Sequence, residues 1–104
     1  MSTIFLNIRH VVESGALSRE DAFAIGKASR DYFVSQNLVL NKDEVSKRPI
    51  DINFTLSTGD LTNEGMLLAK QGWLKYIQSL DRNPAKDPRD TSILDKYLKK
   101  IREK

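Results

Sequence analysis

Residues 50–56, IDINFTL, alternate strictly between apolar and polar side chains in a sequence that otherwise has helical spacing. This period of two is typical of a β-strand with one buried face. A strand needs partners for its backbone N–H and C=O groups, so this segment constrains the fold more than any other. Residues 38–40, Leu-Val-Leu, are the other short extended segment. We therefore predict a short β-hairpin formed by residues 38–40 and 50–56.

Four other segments have apolar residues at the spacing of an amphipathic helix. They are residues 2–13, residues 18–37, a segment from Asp60 or Thr62 to residue 80, and a segment that follows Asp90. A polar stretch with two prolines, residues 81–90, predicts a loop before the last helix. The buried face of the second helix is predicted to comprise Ala22, Ile25, Ser29, Tyr32 and Phe33. The predicted fold is mainly α: a single small domain over residues 1–104, with the hairpin between the second and third helices.

Composition places the chain among ordinary globular proteins. Its 104 residues are 39% hydrophobic and 30% charged, which suits one domain with one core. Its apolar runs are far shorter than the roughly 20 residues that span a bilayer. The N-terminus lacks the basic region of a signal peptide, and the absence of cysteine is compatible with a reducing compartment. We therefore expect a soluble cytoplasmic protein without a membrane partner.

Positive charge is concentrated at the C-terminus. Residues 1–85 carry ten basic and ten acidic side chains, whereas residues 86–104 carry seven basic and four acidic ones. A solvated helix with cations at its negative dipole end would explain this excess. The alternative explanation is contact with phosphate or with an acidic partner. In that alternative, the nucleic-acid-binding residues are Lys96, Lys99, Lys100, Arg102 and Lys104.

The sequence contains no pattern that predicts catalysis, a cofactor or a metal. His10 is the single histidine, and there is no cysteine to complete a ligand set with it. The five glycines are scattered and form no phosphate-binding loop. No serine or threonine lies in a nucleophile-elbow pattern. The expected protein is therefore not an enzyme and binds no cofactor and no metal ion.

The function predicted from these features is protein binding without catalysis. Inhibitors, immunity proteins, antitoxins and adaptors are examples of this class. An exposed strand edge can bind a partner by strand addition, so the candidate partner-binding residues are Asp51, Asn53 and Thr55. A second copy of the chain is another partner that an unpaired strand would accept, which would give a homodimer.

Overall fold

The fold is mainly helical with one short antiparallel β-ribbon, which confirms the predicted fold class. The computed structural model of the chain describes residues 3–15, 17–73, 75–76, 78 and 90–103. Within these residues lie two strands, five α-helices, one 3₁₀ turn and one π-helical turn. In chain order they are β1 (Ile4–Asn7), α1 (Ile8–Glu13), α2 (Arg19–Ser35), α3 (Lys42–Ser46), β2 (Thr55–Ser57), the 3₁₀ turn (Thr58–Asp60), α4 (Asn63–Leu68), the π-helical turn (Ala69–Trp73) and α5 (Ser92–Arg102).

The predicted helix over residues 2–13 is wrong in its first half. Residues Ile4–Asn7 form β1, which pairs antiparallel with β2 in a register that places Leu6 opposite Leu56. Helix α1 begins only after Asn7, whose side chain accepts a hydrogen bond from the His10 N–H at 3.3 Å. The apolar residues here fit a strand as well as a helix, and a partner distant in sequence decides between the two.

The predicted pairing of residues 38–40 with residues 50–56 is also wrong. Val39 instead forms an isolated bridge with Leu61, and the Leu40 N–H donates to the Asp60 carbonyl at 2.9 Å. Strand β2 takes β1 as its partner, because β1 offers four extended residues beside it. Residues 38–40 therefore pair with the residues just after the 3₁₀ turn, and β2 pairs with the N-terminal strand β1.

The predicted strand over residues 50–56 is much shorter in the structure. Only Thr55–Ser57 is a strand, because a turn precedes it, in which the Phe54 N–H donates to the Asp51 carbonyl at 3.1 Å. The apolar positions nearest the strand nonetheless point inward, since Phe54 and Leu56 are both buried. The alternation thus indicates the buried face correctly and overstates the length of the strand.

Helix α2 matches its prediction. The Ser18 hydroxyl accepts a hydrogen bond from the Asp21 N–H at 3.1 Å and begins the helix. All five residues of the predicted face are buried. Gly26 lies against α1, where a Cβ atom would fall 2.5 Å from Ile8 Cδ1. The glycine therefore allows the two helices to pack closely.

Helix α3 was not predicted. Residues 41–44 have the composition of a turn, yet the Asn41 side chain accepts a hydrogen bond from the Glu44 N–H at 3.1 Å and caps a short helix. Glu44 also forms an ion pair with Arg48 one turn later. The cap and the ion pair outweigh the turn propensity of the individual residues.

The C-terminal half confirms the predicted helices in part. The third predicted helix appears as α4 followed by the π-helical turn, with helical backbone again at Lys75, Tyr76 and Gln78. Helix α5 packs through Leu94 and Leu98, as its spacing predicts. Of the predicted loop at residues 81–90, residues 81–89 lie outside the described residues. No helix in the described part of the chain is both long and apolar enough to span a lipid bilayer.

Candidate partner-binding groove

A groove of about 540 Å³ lies beside β2, and residues of both strands line it. All three residues predicted to bind a partner, Asp51, Asn53 and Thr55, line it. Ile4, whose residue surface is 55% exposed, is also part of its lining. The remaining lining residues are Arg48, Pro49, Phe54, Ser57 and Asp60. The structure thus brings the predicted residues together, although two of them lie in the turn before β2 and not in a strand.

Strand β2 presents its backbone groups alternately to β1 and to the groove. The Phe54 carbonyl accepts from the Ile8 N–H at 3.3 Å, and the Thr58 N–H donates to the Thr3 carbonyl at 2.9 Å. Even-numbered residues of this segment therefore face the N-terminal strand. Because successive residues of a strand alternate in direction, the backbone groups of Thr55 and Ser57 face the groove.

Two side chains occupy this groove-facing edge of β2. Arg48 Nη1 donates to the Thr55 carbonyl at 3.2 Å. The Ser57 N–H donates to Asp60 Oδ2 at 3.1 Å. The edge is therefore hydrogen-bonded within the chain, and a strand added there would displace both Arg48 and Asp60.

Arg48 is the centre of an ionic cluster. Its guanidinium bonds both oxygens of Asp60, at 2.9 and 3.0 Å, and both oxygens of Glu44. The Arg48 and Asp60 side chains are only 24% and 23% exposed, whereas that of Glu44 is 51% exposed. The backbone at Arg48 is held as well, since Arg30 Nη1 donates to its carbonyl at 2.9 Å. This cluster fixes the end of α3 against β2.

The cluster shifts the ionisation of its acids. Hydrogen bonds from Arg48 hold the pKa of Asp60 below its usual range, and burial opposes this shift. The same guanidinium lowers the pKa of Glu44. Both acids are therefore stabilised as carboxylates, which is the form that binds Arg48.

The turn before β2 uses two of the predicted residues in local bonds. Asp51 Oδ1 accepts from the Asn53 N–H at 2.8 Å, and Asn53 Oδ1 accepts from Arg9. Asp51 forms no ion pair with any described residue. The groove therefore combines an exposed isoleucine with a carboxylate that pairs with no cation of the described residues.

The five basic residues predicted to bind nucleic acid do not have one common environment. Lys96, Lys99 and Lys100 are exposed along one face of α5, and the Lys100 ammonium lies 5.4 Å from the centre of the Tyr97 ring. Arg102 instead donates to the Gln36 carbonyl at 2.7 Å and so binds the end of α2. Lys104 lies outside the described residues.

The sequence pattern does not identify the other six lining residues of the groove, of which Ile4, Arg48 and Asp60 matter most to its chemistry. Ile4 falls in the segment whose apolar spacing predicts a helix. The four-residue spacing of Glu44 and Arg48 is the one signal that could have revealed α3 and its ion pair. The pairing of Arg48 with Asp60 follows from the fold and has no sequence pattern.

Among the described residues, no group of three or more His, Cys, Asp or Glu side chains is placed to hold a metal ion. No protein family, no curated protein and no solved structure matches the chain. The interpretation of the groove therefore depends on its own contacts.

Proposed function

We propose that the protein is a small non-catalytic interaction module, of the inhibitor, immunity, antitoxin or adaptor type, that binds a partner protein in the groove beside β2. The observation that carries this proposal is the composition of the groove, in which an exposed Ile4 accompanies the carboxylate of Asp51, which forms no ion pair with any described residue. Interfaces draw most of their affinity from a few apolar anchors that become buried, with polar groups around them. Both elements are present in one concave surface.

The chemistry of the groove defines the partner that would fit. Full burial of an exposed isoleucine contributes about 1.5–3 kcal/mol, and Ile4, which is 55% exposed, would contribute about half of that. Asp51 would favour a basic side chain next to that apolar one. The Thr55 and Ser57 main chains are already bonded to Arg48 and Asp60, so recognition would depend on side chains and not on strand addition. The proposed ligand is an exposed segment that carries neighbouring apolar and basic residues.

Two single substitutions test this proposal. Ile4→Asp places a charge in the groove, whereas Leu67→Asp makes the same change at a 43% exposed leucine in α4, outside the groove. Both variants and the wild type are used to capture partners from source-cell lysate, with and without nuclease, and circular dichroism checks that each is folded. We expect one stoichiometric protein that survives nuclease, binds the wild type and Leu67→Asp, and is lost with Ile4→Asp. Equal capture by Ile4→Asp would refute the groove as the binding surface.

The basic face of α5 supports a second candidate function, nucleic-acid binding. Lys96, Lys99 and Lys100 are exposed at the i, i+3 and i+4 positions of one helix, and Lys96 and Lys99 form no ion pair with any described residue. Three phosphate contacts would make the affinity for duplex DNA fall steeply with salt, with a slope of about −2.7 on logarithmic axes. Replacement of the three lysines by glutamine should abolish such binding, while Arg102 is left in place to hold α5. Binding unchanged by this triple substitution would exclude α5 as the interface.

The proposed location is the cytoplasm. It is supported by the absence of cysteine, which suits a reducing compartment. Fractionation of source cells, with the tagged chain detected by antibody, tests this location.

A further inference from the structure

Two of the backbone groups on the outer edge of β2, the Thr55 carbonyl and the Ser57 N–H, are complementary to each other. In an antiparallel pair of strands, some facing residues form no hydrogen bonds with each other. On either side of such a pair, the residue that follows on one strand is hydrogen-bonded to the residue that precedes on the other strand. If Leu56 of two copies faced each other, the Ser57 N–H of each copy would donate to the Thr55 carbonyl of the other. These are the same two groups that Arg48 and Asp60 now occupy.

We propose that Arg48 and Asp60 act as a gate on the β2 edge, and that release of the gate lets β2 pair antiparallel with β2 of a second copy. The resulting dimer would contain one four-stranded sheet in the order β1-β2-β2-β1, with a two-fold axis at Leu56. A second copy is the occupant because the Ser57 N–H and the Thr55 carbonyl lie on either side of Leu56, so that the edges of two copies match each other about a two-fold axis at Leu56. This inference concerns the same groove as the proposed function but does not depend on it.

The gate covers a short strand edge that would otherwise be open to a second strand. Proteins commonly protect such edges with charged side chains. Here Arg48 and Asp60 bind each other as well as the strand, so each holds the other in position. Glu44 binds Nε and Nη2 of Arg48, whereas Nη1 is the atom that binds the Thr55 carbonyl. The contacts are intramolecular, so they compete well against a second copy at low protein concentration.

The first test compares two double substitutions that leave the net charge unchanged. Arg48→Ala with Asp60→Ala releases both groups of the edge. Glu44→Ala with Lys47→Ala removes a partner of Arg48 and one exposed lysine but leaves the edge covered. Sedimentation equilibrium over a range of concentrations measures association, and thermal unfolding confirms that each variant is folded. We expect the open-gate variant to dimerise at about tenfold lower concentration than the wild type, and the control to match the wild type.

The second test checks the register of the dimer in the open-gate background. The proposed pairing places Thr55 of one copy opposite Ser57 of the other. Thr55→Lys with Ser57→Lys puts like charges opposite each other and should abolish the dimer. Thr55→Lys with Ser57→Glu puts opposite charges there and should restore it. Association that is the same for both pairs would show a non-specific contact and overturn the proposal.

The remaining outcomes are also decisive. A folded open-gate variant that stays monomeric at all concentrations overturns the inference. A wild type that already dimerises through the same register would show that Arg48 and Asp60 do not close the edge. If the double variant unfolds, Arg48→Met with Asp60→Ala is measured in the same way, since it frees both groups of the edge and keeps an apolar side chain of similar length at position 48. Failure here leaves the groove proposal intact, because its test uses Ile4→Asp with the gate unchanged.

Discussion

Helix α2 and strand β2 are specified by residues at very different distances along the chain. Helix α2 is begun by the Ser18 side chain and ended by Asn37, both immediately beside it. Strand β2 depends on β1, which lies about fifty residues earlier in the sequence, and on the side chains of Arg48 and Asp60. The helix is therefore determined locally, whereas the strand exists only once the fold has brought its partners together.

The same two elements differ in what stabilises them. Helix α2 contributes a continuous buried face to the core, with Phe33 fully buried at its C-terminal end. Strand β2 buries Leu56 but satisfies its outer edge through charged groups. Apolar burial responds little to pH, whereas an ionic contact requires charged partners. Substitutions and pH should therefore affect the two elements in separable ways.

Phe33→Ala should have the largest effect on stability. Phe33 is 0% exposed, and its ring centre lies 5.6 Å from that of Phe5 in β1. The substitution removes a buried aromatic side chain and leaves a cavity, so the free energy of unfolding should fall by about 3–5 kcal/mol. Urea denaturation followed by circular dichroism measures this loss. Phe33→Leu is the matched control and should lower the free energy of unfolding clearly less than Phe33→Ala does. Equal losses in the two variants would show that the cavity is not the cause.

Arg48→Met should have the next largest effect. Methionine keeps an apolar side chain of similar length but loses the bonds to the Thr55 carbonyl, Asp60 and Glu44. Loss of hydrogen bonds to a charged group, with Asp60 left unpaired, should lower the free energy of unfolding by about 2 kcal/mol.

Glu44→Ala is the control for this substitution. It removes the more exposed of the two ion pairs of Arg48, and exposed pairs contribute about 0.2–1 kcal/mol. If Glu44→Ala lowered the free energy of unfolding as much as Arg48→Met does, Arg48 would stabilise the fold through α3 and not through the β2 edge.

The helical part of the fold could be predicted because its signals are local. Apolar spacing placed α2 and α5 and identified their buried residues, and Ser18 marked a helix start. The N-terminal strand could not be predicted, since Ile4 and its neighbours satisfy a helical period as well as a strand. The choice depends on pairing with β2, and no local pattern contains that information.

The candidate groove could be predicted only in part. The alternation pointed to Asp51, Asn53 and Thr55, and all three line the groove. The alternation also predicted an open edge for strand addition. This part of the prediction fails because a sequence pattern does not reveal which distant side chains cover a strand. Arg48 and Asp60 are twelve positions apart and meet through the turn before β2 and the 3₁₀ turn after it.

The end of α2 provides a smaller test of local specification. Asn37 has a φ of 60°, in the left-handed region, and the Leu38 N–H donates to the Phe33 carbonyl at 2.9 Å to close the helix. Asn37→Val should lower the free energy of unfolding by about 1–2 kcal/mol, since a β-branched residue is strained there. Asn37→Gly, measured by the same urea titration, should stay within about 0.5 kcal/mol of the wild type. A tolerated valine would mean that the helix end is set by the tertiary contacts of Leu38.

The pH dependence of the free energy of unfolding should also distinguish β2 from α2. Its effect is the smallest of those predicted here. Arg48 lowers the pKa values of Asp60 and Glu44 in the folded protein, so the unfolded chain binds protons at these groups at higher pH than the folded chain does. The free energy of unfolding that they contribute is therefore fully present above the ordinary carboxyl range, about pH 4, and is lost as the pH falls through the folded pKa values. The difference between the wild type and Asp60→Asn with Glu44→Gln should shrink from pH 7 to pH 3 in urea titrations. The difference between the wild type and Phe33→Ala should stay constant, because Phe33 does not titrate. If both differences shrank together, the ionic cluster would not be the source of the pH dependence, and the contrast between α2 and β2 would fail.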